Sequence, residues 1–264
     1  MKIGFIGCGN MATAILKGIL KSSEVAATDI IASAKSDKTR EKIEKELGIQ
    51  KADTNAQVVD FADVVFLAVK PQFLEEVLDE IKDNVKEGQI FISIAPGKTL
   101  QWLGEHLGEG TKIIRTMPNT PAMVGEGMTA LCVNDLVTEE ETALAVKLCN
   151  TFGKSEVIPE HLMDAVTAVS GSSPAYVYMM IEAMADAAVV EGMPRPQAYK
   201  FAAQAVLGSA KLMLETGKHP GELKDMVCSP AGTTIQAVRV LEEKGLRSAV
   251  FEAQLECVKK AKGM

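Results

Sequence analysis

The chain has 264 residues, 47% hydrophobic and 24% charged, a length that suits about two domains of ~150 residues and cores that need no disulfide staples. Its net charge of −7 argues against a general nucleic-acid binder, because backbone phosphates demand a basic surface, and 10 prolines with 21 glycines exclude a collagen-like or low-complexity chain. Residues 161–264 carry 11 Lys/Arg against 11 Asp/Glu, so the whole net charge resides in residues 1–160, a first sign of two units with different surfaces.

In chain order, Lys2-Ile3-Gly4-Phe5-Ile6 is a short apolar run that suits a buried parallel strand, and Asn10–Leu20 places Met11, Ala14, Ile15 and Ile19 at helical spacing. Residues 29–33 read as a second strand and 37–47 as a charged surface helix closed by Gly48. The run from Asp63 to Val69 is the clearest strand, and Pro71 opens a helix to about Val85. Strands follow at 89–94, 112–116 and 127–133, with helices at 99–107 and 139–152. This alternation predicts an α/β fold, a doubly wound, mostly parallel sheet of Rossmann type, with ligands at the carboxyl ends of its strands. From His161 onward only helical patterns remain, at 174–191, 195–215, 234–244 and 246–262. The expected division is a dinucleotide-binding domain over 1–160 and an all-α substrate-binding and dimerisation domain over 161–264. The helix from Pro174 is apolar over most of its circumference, its charges Glu182, Asp186 and Glu191 lying on roughly one face. So small a domain rarely covers such a helix alone, which points to a second subunit.

Five cysteines, an odd number without metal-ligand or redox spacing, read as reduced thiols, and three scattered histidines form no ligand motif. Met1–Ile6 enters a strand pattern without a basic flank and cleavage site, and no 18-residue uncharged apolar stretch occurs. The expectation is a cytoplasmic protein with no metal, no membrane span and no nucleic-acid partner.

Gly7-Cys8-Gly9-Asn10-Met11-Ala12 is a G-x-G-x-x-A turn between a strand and a helix. The first glycine allows the tight turn and the second lets a pyrophosphate approach the backbone. The small third residue lets helix and strand pack closely, and the helix-start amides hold phosphate. An NAD site usually carries Asp or Glu at the end of the next strand, roughly 20 residues on. Here that end reads Ile31-Ala32-Ser33-Ala34-Lys35, a hydroxyl and a cation, which favours NADPH with NADH possible. Ala68-Val69-Lys70-Pro71 and Ala95-Pro96-Gly97 end the next two strands and are expected to line the cofactor. Three turns look like substrate contacts: Arg115–Pro121, whose two prolines bracket Asn119-Thr120, then Ser170–Pro174 including Ser172, and Ser229–Thr234. The last two combine small residues and hydroxyls at expected helix starts, whose amides suit a small carboxylate. No His–carboxylate pair, nucleophile elbow or metal cluster stands out. Hydride transfer, in which a cofactor supplies the chemistry, fits best.

Together these segments resemble one family, pyrroline-5-carboxylate reductase. The resemblance rests on Phe5–Ala12, Ala68–Gln72, Arg115–Pro121, Asp164–Ser172, Pro174-Ala175-Tyr176, His219-Pro220-Gly221, Leu223-Lys224-Asp225 and Ser229–Thr234, nearly the whole chain in the family's order. It implies reduction of 1-pyrroline-5-carboxylate to L-proline by NAD(P)H, the last step of proline biosynthesis. It further implies that Ile6, Gly7, Cys8, Gly9, Asn10, Met11, Ser33, Asn55, Val69, Lys70, Ala95 and Pro96 contact NADPH. Gly232, Thr233 and Thr234 would hold the substrate carboxylate, with Thr234 also near the ring nitrogen, and Glu160 would lie close to the substrate. The helical domains would pair as interlocked dimers that often form a decamer. The family usually has glycine where Ser173 and Ala231 stand, which bears on substrate affinity and not on the reaction. Two other readings compete. A beta-hydroxyacid dehydrogenase relies on a lysine in the helix after its glycine turn, and none stands between Pro174 and Glu191. A non-catalytic NADP sensor would not need the Ser229–Thr234 turn.

Overall fold

The computed structural model describes residues 1–263. The first apolar run is β1 (Ile3–Ile6), buried throughout, and α1 (Asn10–Ser22) follows it with Ile15, Leu16 and Ile19 turned inward. The alternation continues through β2 (Ile30–Ser33), α2 (Asp37–Lys45), β3 (Gln50–Lys51), α3 (Asn55–Phe61), β4 (Val64–Leu67), α4 (Leu74–Ile81), β5 (Ile90–Ser93), α5 (Leu100–Leu107) and β6 (Lys112–Met117). Next come β7 (Gly127–Val133), α6 (Glu139–Cys149) and β8 (Gly153–Val157). The eight strands form one sheet in the order β3-β2-β1-β4-β5-β6-β7-β8. β1 to β6 are parallel, and β7 runs antiparallel to β6 and parallel to β8. Strand order reverses between β1 and β4, which opens a crevice at their carboxyl ends.

Successive strand residues face opposite sides of the sheet, so two apolar layers form. Ile3 and Phe5 pack with Ile15, Leu16, Ile43 and Leu148 on one side. Ile6, Val65 and Leu67 pack with Val58, Leu74, Leu78 and Leu103 on the other. Phe5 and Phe66 stack across the central pair, ring centroids 4.6 Å apart.

Three elements of the sheet region escape the sequence pattern. β3 is a two-residue exposed edge, and β8 is a polar edge strand, so neither carries an apolar run. α3 is short, and its one signal is the Thr54 hydroxyl accepting from the Gln57 amide at 3.2 Å.

After β8 the chain forms α7 (Met163–Val166), a π-helical segment Thr167–Ser172, α8 (Ser173–Val190), α9 (Arg195–Thr216), α10 (Pro220–Val227), α11 (Thr233–Glu243) and α12 (Leu246–Ala261). Packing divides the chain into two units, Met1–Ser172 with the C-terminal residues from Val258, and Ser173–Cys257. The sequence places its boundary at 160/161. Residues 161–172 pack instead with the first unit, because Met163 is buried against Ala130 and Cys132 and Ser170 is bonded to Asn119. In the second unit α8 packs along α9. Within one chain α8 is not the enclosed helix that its composition suggests. Ala185 is its fully buried residue, while Met179 is 68% and Val190 83% exposed. No described helix is long and apolar enough to cross a membrane.

Candidate active site

The glycine turn lies at the topological switch. Gly7 has φ +90°, and a Cβ there would stand 2.8 Å from the Ala68 carbonyl oxygen and 2.9 Å from Val69 Cγ1. Only glycine fits this backbone between the ends of β2 and β4. The Gly7 amide donates to the Ser33 carbonyl at 3.1 Å, and the Ala68 amide to that of Ile6 at 2.8 Å. Gly9 differs, because a Cβ there would meet nothing within 4 Å. The missing side chain leaves room beside the start of α1, whose N-cap is Gly9 with no side-chain cap, so first-turn amides stay available to an anion. A groove there is lined by Cys8, Gly9 and Asn10 on one side and by α2 and the residue after it on the other, where Lys38, Thr39 and Lys45 stand with the carboxylates Glu41 and Glu46. Ile6 and Cys8 are buried and Met11 is half-buried.

The other cofactor candidates gather at the same edge of the sheet. Ala68 and Val69 follow β4, and Lys70 precedes a short 3-10 turn over Pro71–Phe73. Lys35 sends Nζ over the Phe73 ring, 5.4 Å from its centroid. Ala95 is buried behind β5 while Pro96 is exposed. Lys98 lies 3.6 Å over the ring of Trp102, which in turn stacks on His106. Ser33 is only 4% exposed, and its hydroxyl lies 2.6 Å from Asn55 Oδ1. Asn55 Nδ2 in turn donates to Glu80 Oε2 at 2.7 Å. Glu80, Lys38 and Thr39 are not among the residues the motifs single out. The two on α2 have a sequence signal, a cation and a hydroxyl just past the second strand, and Glu80 has none.

The loop after β6 behaves differently from its expectation. Asn119, expected to present its amide to a substrate, is 9% exposed and engaged at both ends. Nδ2 donates to the Ser170 carbonyl at 3.2 Å and Oγ at 3.1 Å, and Oδ1 accepts from the Met128 amide at 2.9 Å. Ser170-Gly171-Ser172 is also not a capping turn. It is π-helical and continuous with α7 and α8, so Ser172 has no helix start to cap. π-bulges of this kind are frequent at functional sites. Glu160 Oε1 accepts from Arg115 Nη1 at 2.9 Å and from the Leu100 amide at 2.7 Å. This carboxylate therefore ties β6 to the start of α5, and Arg115 is the buried partner that the motif reading left without a role. Burial pushes the neighbouring Cys132 thiol up to about 12, with Glu160 adding to the rise and Arg115 opposing it. Such a thiol stays protonated and is no nucleophile.

In the second unit, Ser229-Pro230-Ala231-Gly232 forms a tight turn closed by the Gly232 amide donating to the Ser229 carbonyl at 3.0 Å. Ala231 has φ +55°, so with proline before it the turn is type II, which favours glycine at that position. The turn delivers Gly232 as the N-cap of α11, again with no side-chain cap, and Thr233 and Thr234 as its first residues. By contrast, the Thr54, Thr99, Thr138 and His219 side chains close the starts of α3, α5, α6 and α10. Thr234 is therefore not the cap of its own helix.

Residues 160–264 match the family described as "Pyrroline-5-carboxylate reductase dimerisation", and residues 2–97 that described as "NADP oxidoreductase coenzyme F420-dependent". The pyrroline-5-carboxylate reductase of Escherichia coli (strain K12) is 55% identical over 260 residues, covering 98% of this chain and 97% of that one. That of Methanosarcina acetivorans is 44% identical, covering 99% and 97%. Among solved structures, a pyrroline-5-carboxylate reductase from Coxiella burnetii superposes with a TM-score of 0.93 at 35% identity, covering 99% of this chain and 97% of that one. A Plasmodium falciparum pyrroline carboxylate reductase with NADP bound gives 0.89 at 30% identity, covering 100% and 97%.

Proposed function

This chain belongs to the pyrroline-5-carboxylate reductase family, and from that premise we propose how its residues serve the reaction, reduction of 1-pyrroline-5-carboxylate to L-proline with a nicotinamide cofactor. The observation that carries the reading is that α1 and α11 each start from a glycine N-cap with no side-chain cap, Gly9 and Gly232. Each offers free amides and the positive end of a helix dipole. The first has the space of Gly9 beside it and suits a pyrophosphate. The second has threonines at its first positions and suits a small carboxylate.

When bound, the reduced nicotinamide supplies hydride to the imine carbon of the ring. The amides of Thr233 and Thr234 hold the substrate carboxylate and so orient the ring. The Thr234 hydroxyl donates to the carboxylate or meets the ring nitrogen. A protonated imine is already electrophilic, so orientation can supply much of the acceleration. Glu160 and Asn119 act at one remove, Glu160 through Arg115 and Asn119 through Ser170. NADPH is the preferred cofactor on this reading, because β2 ends in Ser33 and is followed by the cation Lys35, while the first carboxylate after it, Asp37, lies in the first turn of α2 and is paired with Arg40. The setting is the cytoplasm, and the working unit is a homodimer built through the helical unit, assembled further into a decamer.

The test is steady-state oxidation of NADPH and of NADH with pyrroline-5-carboxylate as acceptor. Failure of the imine to be reduced by either cofactor at any pH overturns the reading. Lys35→Ala should lower kcat/KM for NADPH about three- to tenfold more than for NADH, the scale of a charge-assisted hydrogen bond at an exposed position. Thr234→Val, nearly isosteric, should raise the Michaelis constant for the imine roughly tenfold. A fall in kcat at saturating imine would also place the hydroxyl at the ring nitrogen, and unchanged kinetics would remove Thr234 from the site.

A further inference from the structure

We propose that Glu80, an exposed residue on α4 far from any motif, is a positioning residue that sets how the cofactor's adenine ribose is discriminated. It does so by fixing the direction of a hydrogen-bond chain that runs through Asn55 to Ser33. The inference rests on the nicotinamide reading above.

The chain has one consistent polarity. Glu80 Oε2 stands 2.7 Å from the Asn55 amide nitrogen, and Asn55 Oδ1 stands 2.6 Å from Ser33 Oγ. An ionised carboxylate only accepts, so the Asn55 atom against it must be the nitrogen. The carbonyl oxygen then faces Ser33, and Ser33 must donate its one hydrogen to it. The hydroxyl, 4% exposed at the end of β2, is left with lone pairs alone for anything that binds there.

Lone pairs accept from a ribose 2′-hydroxyl and repel a 2′-phosphate, which at neutral pH has little or nothing to donate. Ser33 as held here therefore leans toward NADH, opposite to the role its position in the sequence suggests. The lysines that follow β2, Lys35 and Lys38, lean toward NADPH. Glu80 keeps the first of these opposed tendencies in force. Replacing its carboxylate by an amide removes the constraint, because glutamine can donate as well as accept. Asn55 can then turn over, donate to Ser33 Oγ, and release the Ser33 hydrogen to a phosphate oxygen.

The test is calorimetric titration of the full-length protein with NADP⁺ and with NAD⁺, which reads binding without turnover. Wild type, Glu80→Gln, Ser33→Ala and the double variant are compared, with Glu80→Ala as a second removal of the carboxylate. Glu80→Gln should shift the ratio of dissociation constants toward NADP⁺ by about three- to tenfold, the scale of one hydrogen bond gained or lost to a charged group. Glu80→Ala should move it the same way. In the Ser33→Ala background the shift should shrink below about twofold, since no hydroxyl remains to be reoriented. A ratio that stays unchanged or shifts toward NAD⁺ in Glu80→Gln overturns the proposal. So does an equal shift with and without Ser33, which would assign the effect to the lost charge alone. If both nucleotides bind wild type and the ratio does not move, only this proposal fails. If neither binds, the nicotinamide reading fails and takes the proposal with it.

Discussion

Ala231 holds a backbone conformation that its side chain opposes. At φ +55° its methyl crowds the following carbonyl, at a cost of roughly 1–2 kcal/mol relative to glycine. The turn tolerates this because the Gly232 amide closes it and Pro230 fixes the preceding residue. Ala231→Gly should relieve the crowding, with part of the gain offset by the freer unfolded chain. A net stabilisation of about 1 kcal/mol is expected, read as a rise in Tm of about 2–4 °C. The substrate's Michaelis constant should move little, since the variant leaves the amides of Thr233 and Thr234 in place. A lower Tm would mean that the alanine methyl contributes packing that outweighs its strain.

The π-helical segment has an identifiable cause. A proline at 174 brings no amide hydrogen, so the carbonyl of Ser170 cannot receive the α-helical bond from four residues on. Asn119 Nδ2 supplies a donor in its place, while Asn119 Oδ1 holds the Met128 amide at the start of β7. The side chain thus ties an irregular helix to the sheet. Asn119→Ala should leave two part-buried backbone groups, the Ser170 carbonyl and the Met128 amide, without this partner, at about 1–3 kcal/mol, seen as a drop in Tm. Adding Pro174→Ala restores a donor for Ser170 and should recover part of that loss. If Asn119→Ala raises the Michaelis constant and leaves Tm untouched, the amide contacts substrate and is not a clamp.

The second unit exposes more apolar surface than one chain has reason to expose. Tyr178, Met179, Met180, Met184, Phe201 and Leu214 all lie open, and residues 160–264 match a dimerisation family. Exposed patches of this kind mark association surfaces. Met180→Asp would place a charge on the open surface of α8 and should give a monomer by size-exclusion chromatography with light scattering. A wild-type protein that runs as an active monomer would refute the assembly, and its measured mass would separate dimer from decamer.

The local features needed no structure to be seen. Apolar runs such as Ile3–Ile6 and Val64–Leu67 are bounded by glycine and proline, and a strand buried on both faces must look like that. The G-x-G-x-x-A turn was legible for the same reason, because its glycine at 7 answers to a backbone constraint that acts over a few residues. The family-specific turns, Ser229–Thr234 above all, carried the reaction through resemblance. Folding alone decided the partners of polar side chains. Glu160 meets Arg115 45 residues away, Asn119 meets Ser170 51 away, and Asn55 meets Glu80 25 away. Such pairs follow from which strand ends and helix faces converge, and they leave no periodicity to read. The register of the chain therefore shows which groups could do the chemistry, whereas three-dimensional packing decides which of them are free to do it and which are already spent.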